Sequence, residues 1–189
     1  MHQLKKGYDA FQDAICQDPL KYLHPPPKQQ KPHSMVISCC DSRVNPCQIF
    51  QANAGEIFLF QNIAGHLPDP NHPSSTQTKA ALQFGIENLN INNLIFLAHT
   101  DCAGLRAATQ HYQDLHLNLK NWLQNLQALP ADNEAALLQA HLNQNSQNAL
   151  KHPFIANKVN NNSLTLQQMV YQVENGTLLI HRNGQLIAF

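Results

Sequence analysis

An α/β fold, with a mostly parallel central sheet flanked by helices, is what this sequence predicts. Two observations carry the prediction. Short, almost wholly apolar runs recur at Met35-Val36-Ile37-Ser38, Ile57-Phe58-Leu59-Phe60 and Leu94-Ile95-Phe96-Leu97-Ala98. Strands covered on both faces read this way, whereas strands with one wet face alternate apolar and polar residues. Helical patterns separate the runs, and strands that alternate with helices assemble into parallel sheets. The chain of 189 residues suits one compact domain with a helical arm. The expected division is an N-terminal arm and Pro-rich spacer over 1–33 and an α/β domain over 34–189.

The elements follow in order. Tyr8, Phe11 and Ile15 stand three and four residues apart, one apolar face of a helix from about Tyr8 to Leu23. Pro25-Pro26-Pro27 ends it in a rigid extended spacer. Such an arm can pack on its own body or on a neighbouring subunit. A strand near Met35–Cys39 leads into a loop at Asp41–Val44, and Pro46 opens a short helix through Phe50. The Ile57–Phe60 strand runs into a loop at Gln61–Pro70, after which Ser74 or Ser75 caps a helix to about Leu89. The Leu94–Ala98 strand precedes a helix from Cys102 to about His111. Helix is then expected from about Asp114 to Leu150, with a break at Pro130. Leu164, Leu166, Met169, Val170, Tyr171 and Val173 return to a strand pattern. Asn175-Gly176 and Asn183-Gly184 are hairpin signals, so the chain closes in a C-terminal hairpin at the sheet edge.

Composition narrows the function. Lys plus Arg number 12 and Asp plus Glu number 12, so the formal charge is zero, and no basic block occurs. That excludes a nucleic-acid backbone or an anionic membrane as an evident partner. The five cysteines, Cys16, Cys39, Cys40, Cys47 and Cys102, are an odd number and a poor disulfide framework. Thiols used for metal or chemistry fit better. Lys5 and Lys6 are not followed by an apolar signal-peptide core, and no apolar run approaches membrane-spanning length. The expectation is a soluble, cytoplasmic protein.

Two islands carry the chemistry. Cys39-Cys40-Asp41-Ser42-Arg43-Val44 and His99-Thr100-Asp101-Cys102 each follow an apolar strand. Open α/β sheets gather ligands at the carboxyl ends of their strands, which brings the two islands together. Two thiolates and one imidazole form a three-donor zinc set. Structural zinc sites fill all four positions with protein groups, whereas three donors leave room for water, the catalytic arrangement. Taken singly, a buried Cys is a small hydrophobe, and a His at a strand end is a satisfied polar residue. Cys-x-Asp-x-Arg joined to His-x-x-Cys is hard to explain by packing. Cys39 ends its strand and Cys40 points the other way. A vicinal Cys39–Cys40 redox pair competes with the metal reading but strains a disulfide. Cys16 and Cys47 read as structural thiols. His24, His33, His66, His72, His111 and His181 read as surface or loop residues, with His66 or His72 placed where one could relay protons.

These residues resemble the β-class carbonic anhydrases, which carry both islands at this separation and in this βα context. Gln30-Lys31-Pro32, Asn62-Ile63-Ala64-Gly65, Leu150, Pro153 and the Gly176 hairpin extend the resemblance from about Tyr8 to the end. The resemblance implies that Cys39, His99 and Cys102 hold one zinc per subunit, choosing Cys39 over Cys40. It implies that Asp41 and Arg43 form a dyad beside the metal and that Gln30 helps orient substrate. The implied activity is zinc-dependent reversible hydration of carbon dioxide to bicarbonate and a proton. The implied assembly is a homodimer or homotetramer in which N-terminal helices embrace a neighbour. In the family the Asp matching Asp41 can, in a closed state, swing onto zinc as fourth ligand and switch the site off; freeing it for the Arg matching Arg43 switches it on. Ala98 and Ala103 stand where the family often has Gly, and Gln61 where many members have Arg. Some bacterial members hold inhibitory bicarbonate with Trp, that Arg and Tyr. The matching positions here are Val36, Gln61 and Tyr171, so no such pocket is expected. Two rivals remain: hydrolysis of carbon disulfide or carbonyl sulfide at the same centre, and a non-catalytic zinc protein that would need no dyad.

Overall fold

The three apolar runs lie side by side as parallel strands in a computed structural model that describes residues 1–18, 28–130, 132–182 and 184–189. β1 (Ser34–Cys39), β2 (Ile57–Asn62), β3 (Asn93–His99), β4 (Thr165–Tyr171), β5 (Leu178–Arg182) and β6 (Gln185–Ala188) form one six-stranded sheet. Their order is β2-β1-β3-β4-β5-β6. β1 pairs in parallel with β2 and β3, and β3 in parallel with β4. β5 and β6 add antiparallel, as the two hairpin signals require. Gly176 turns the first hairpin at φ +76, a left-handed conformation that glycine adopts without strain. Asn183, in the second, lies outside the described residues.

The helices divide unequally between the two faces. α3 (Thr76–Gln83), α4 (Ala103–Gln110), α5 (Leu117–Leu123), α6 (Glu134–Leu150) and α7 (Pro153–Asn160) cover one face. There Met35, Ile37, Leu94 and Phe96 meet Leu82, Leu105, Leu142 and Ile155 in the larger core. The alternate strand residues Val36, Ile95, Leu97 and Met169 face a smaller cluster with Val44 and with Ile49 of α2 (Pro46–Ile49). Alternation across the pleat explains how adjacent residues of one apolar run serve both cores.

Several boundaries differ from expectation for local reasons. The N-terminal helix α1 (His2–Gln17) starts earlier than Tyr8, because Leu4 continues the apolar stripe one turn back. Its expected end near Leu23, the Pro25–Pro27 spacer and His24 fall outside the described residues. Ser75 precedes α3 but does not cap it, since its hydroxyl donates to the Pro70 carbonyl at 3.0 Å. α3 widens into a π-helical turn over Phe84–Asn88, which carries helical structure to Leu89. The long helical stretch is broken before Asn133, whose side chain accepts from the N–H groups of Ala135 and Ala136 to start α6. α7 was not anticipated; its mark is Pro153 at the first helical position. Among the described residues no helix is long and apolar enough to cross a membrane.

Candidate metal centre

Cys39 and His99 are the last residues of the adjacent parallel strands β1 and β3, and Cys102 sits at the N-cap of α4. The chain therefore delivers all three side chains to the carboxyl edge of the sheet at β1 and β3, where the strand order changes direction. The two sulfurs are 3.9 Å apart. Sγ of Cys39, Sγ of Cys102 and a ring nitrogen of His99 lie within 4.8 Å of one another, and all three residues are buried. Sulfurs bound at about 2.3 Å to a tetrahedral zinc would stand about 3.8 Å apart. The His99 ring is oriented by Nδ1, which lies 2.8 Å from the Thr100 carbonyl and donates to it. That leaves Nε2 as the bare acceptor, buried and without a hydrogen-bond partner. A buried polar atom is costly unless something satisfies it, and a cation bound between the three donors would do so. The residues present therefore fit zinc.

The thiols are electrostatically unequal. The Cys102 thiol donates toward Cys39, which pulls the Cys39 pKa down, with His99 adding to the effect against burial. The same shared proton, together with burial, pushes the Cys102 thiol up. Zinc ligands are deprotonated, so a bound cation replaces that proton.

Asp41 and Arg43 form the expected pair. Asp41 Oδ1 accepts from the Arg43 backbone N–H at 2.9 Å and from Nε at 3.0 Å. Oδ2 accepts from Nη2 at 2.8 Å, which completes a bidentate fork. These bonds hold the Asp41 carboxyl well below the usual carboxylate range. Oδ2 lies 4.0 Å from His99 Nε2, bordering the metal position. Gln61 is occupied elsewhere, its amide donating to the carbonyls of Cys39 at 2.9 Å and Val44 at 3.2 Å. It ties the Asp41–Val44 loop to β2.

Behind the ligands the loop after β2 folds inward. Asn62 clamps it by accepting from the His66 N–H at 2.8 Å and donating to the His66 carbonyl at 3.0 Å. Gly65, at φ +59, presses so closely on β1 that a Cβ would meet Cys39 N and Ser38 C at 2.9 Å. His66 lies in this loop, as expected, but is fully buried rather than at the surface. The cause lies far along the chain. α6 covers the loop with Asn145, which donates to the Gly65 carbonyl at 2.9 Å and accepts from the Leu67 N–H at 2.9 Å. His141 donates to the Ala64 carbonyl at 3.0 Å. Burial pushes the His66 pKa down to about 3 and that of His141 to about 4. His66 is thus neutral near pH 7 and unsuited to relaying protons there. Cys40 is exposed. Gln30 is also exposed, four residues before the start of β1, the strand whose far end carries Cys39.

Residues that sequence reasoning passed over complete the centre. Thr100 donates to Glu174 at 2.6 Å and accepts from the Val173 N–H at 3.0 Å, pinning the end of β3 to the first hairpin. Asp101 contacts Arg43, Arg106 and Glu134. Asp101 lay inside the second island, but two of its partners, Arg43 and Glu134, are distant in sequence and no spacing announces them.

Fold and site together define an α/β protein with a buried Cys-His-Cys cluster able to hold a metal, adjoined by a carboxylate–guanidinium pair. A family model described as carbonic anhydrase matches residues 34–178, and the chain belongs to that family. It is 28% identical over 182 residues to β carbonic anhydrase 5, chloroplastic, of Arabidopsis thaliana, covering 89% of this chain and 60% of that protein. It is 31% identical over 155 residues to β carbonic anhydrase 6, mitochondrial, of the same plant, covering 80% of this chain and 52% of the relative. The chain thus spans about half to three fifths of the length of these relatives. The β-carbonic anhydrase CcaA superposes with a TM-score of 0.88 at 21% identity, covering 100% of this chain and 99% of that one. A tetrameric β-carbonic anhydrase of Sordaria macrospora superposes at 0.79 with 18% identity, covering 99% and 98%. At such identities these two likenesses establish the fold.

Proposed function

We propose that this chain catalyses the zinc-dependent reversible hydration of carbon dioxide to bicarbonate and a proton. Cys39, His99 and Cys102 hold one zinc per subunit. One observation carries the reading: an ionised Asp41, gripped by Arg43, points Oδ2 to within 4.0 Å of the bare His99 Nε2. Zinc, when bound, supplies a Lewis acid that makes water nucleophilic near neutral pH. Asp41, staying ionised, would accept a hydrogen bond from the attacking water or hydroxide and so turn the oxygen lone pair toward carbon. Arg43 keeps Asp41 ionised and directed, and its grip keeps the carboxylate from filling the fourth position itself. A non-catalytic zinc protein would have no use for this pair.

Support for a homodimer or larger homo-oligomer comes from α1, where Leu4 and Tyr8 are 75% and 60% exposed on the apolar stripe. Gln30, remote from its own ligands, is assigned to orienting substrate in a neighbour's site. The arm over 1–33 and the metal-binding domain over 34–189 remain the working division, and the family match begins at 34. Five free cysteines favour the cytoplasm, where thiols stay reduced.

The test couples metal analysis of the purified protein to stopped-flow carbon dioxide hydration across pH, with carbon disulfide and carbonyl sulfide as competing substrates. We expect about one zinc per chain and hydration as the dominant activity. Asp41→Asn should keep its zinc and lose roughly 100-fold or more in kcat/KM. An unchanged rate with zinc bound would remove the dyad from the mechanism, and sulfide release exceeding hydration would reassign the substrate.

A further inference from the structure

We propose that Asp101 is a positioning residue that holds the Arg43 guanidinium in register with Asp41; this role rests on the hydration activity proposed above. Arg43 presents Nε and Nη2 to Asp41. Its remaining reach is taken by Asp101: Nη1 donates to Asp101 Oδ2 at 2.9 Å, and Nη2 donates to the Asp101 carbonyl at 3.1 Å. The two acids use different N–H groups, so they do not compete, and the guanidinium is clamped between them. Arg43 is otherwise 45% exposed, a long side chain free to leave its fork.

Asp101 can serve as a fixed post because it is itself held by two contacts and by its backbone turn. Its Oδ1 accepts from Arg106 Nη1 of α4. Its backbone N–H donates to Glu134 Oε1 in the first turn of α6 at 2.6 Å. Its φ of +55 turns the chain immediately before Cys102, a conformation that Asp tolerates better than most residues. A line of contacts therefore runs from α6 and α4 through Asp101 and Arg43 to the Asp41 carboxylate. It ties the orientation of that carboxylate to two helices rather than to one exposed loop.

The experiment uses the full-length, zinc-loaded protein and the substitution Asp101→Asn, which removes the charge while keeping tolerance of positive φ. We expect unchanged zinc content and a fall of about fivefold in kcat/KM, the scale of an exposed ion pair. In an Arg43→Ala background the same substitution should have no further effect, whereas a merely structural role would multiply the two losses. A second readout is independent of turnover. The Arg43 Nε–Hε NMR signal should be sharp and protected from exchange in the wild type and merge with the exposed arginines in Asp101→Asn. Should that variant not fold, Asp101→Gly, which also accepts positive φ, carries the same expectations. Wild-type protein without hydration activity would sink the proposed function while the NMR signal still tests the clamp. An active wild type whose Asp101 variant keeps both full activity and an unaltered Arg43 signal would overturn the role of Asp101.

Discussion

His99 divides its ring between two tasks, Nδ1 donating to the Thr100 carbonyl and Nε2 facing the sulfurs of Cys39 and Cys102. Removing a donor should therefore act on metal retention before anything else. His99→Ala and Cys39→Ser are expected to weaken zinc binding by more than about 100-fold, beyond what loss of an outer hydrogen bond costs. Cys40→Ser should leave zinc content and activity unchanged. Equilibrium dialysis followed by elemental analysis checks both, and activity that followed Cys40 would revive the redox pair. The buried histidines make a second statement at this scale. His141 and His66 titrate at about 4 and about 3 in the folded chain, against about 6.5 in an unfolded one. Between those values the unfolded chain binds protons that the folded chain refuses, so stability falls as pH drops from about 6.5 toward 4 and is flat above it for these groups. The melting temperature should follow that course, and His66→Leu should flatten it in part, leaving the share that His141 contributes. A wild-type curve level from pH 7 to 4.5 would contradict the burial of these rings.

At the scale of elements, the centre depends on how closely the loop after β2 lies against the end of β1. Gly65 allows that approach, with both its positive φ and its lack of a side chain in use. Gly65→Ala adds left-handed strain of about 1–2 kcal/mol and drives a Cβ into the backbone of Ser38 and Cys39, atoms that cannot yield as a flexible side chain would. The expected result is a lower melting temperature together with partial loss of zinc, because the displaced strand end carries a ligand. Full zinc content in a destabilised variant would show that β1 is held by its strand partners alone. This packing could not be read from the sequence. Asn62-Ile63-Ala64-Gly65 is legible as a turn, but its cover, Asn145 and His141 of α6, comes from a helix whose pattern says only that it has an apolar face. α7 was missed for a similar reason: Pro153 signals a helix start, but the Asn-rich segment after it carries a weak periodicity.

For the whole molecule the open question is association. The formal charge is zero, so like-charge repulsion between copies is small. α1 presents Leu4 and Tyr8 to solvent, and β2 is an edge strand with partly exposed apolar residues. Replacing Leu4 and Tyr8 together by Glu should shift the species seen by light scattering toward monomer. It should lower kcat/KM as well if a neighbour supplies Gln30. A mass unchanged by the double substitution would move the interface away from α1.

The sequence by itself marked the succession of apolar strands, the mostly parallel sheet, and the two Cys/His islands with their Asp–Arg companion, but not α7. Those features are written in short-range signals: apolar runs, capping and turn residues, and donors placed directly after strands. The tertiary structure alone decided which face of the sheet carries most helices, that His66 is interior, and that Arg43 is held by Asp101 as well as Asp41. Each of these is settled by contacts between segments tens of residues apart, such as His66 with α6 or Asp101 with Arg43 and Glu134. No local period encodes such contacts; they exist only once the sheet has brought its strand ends together.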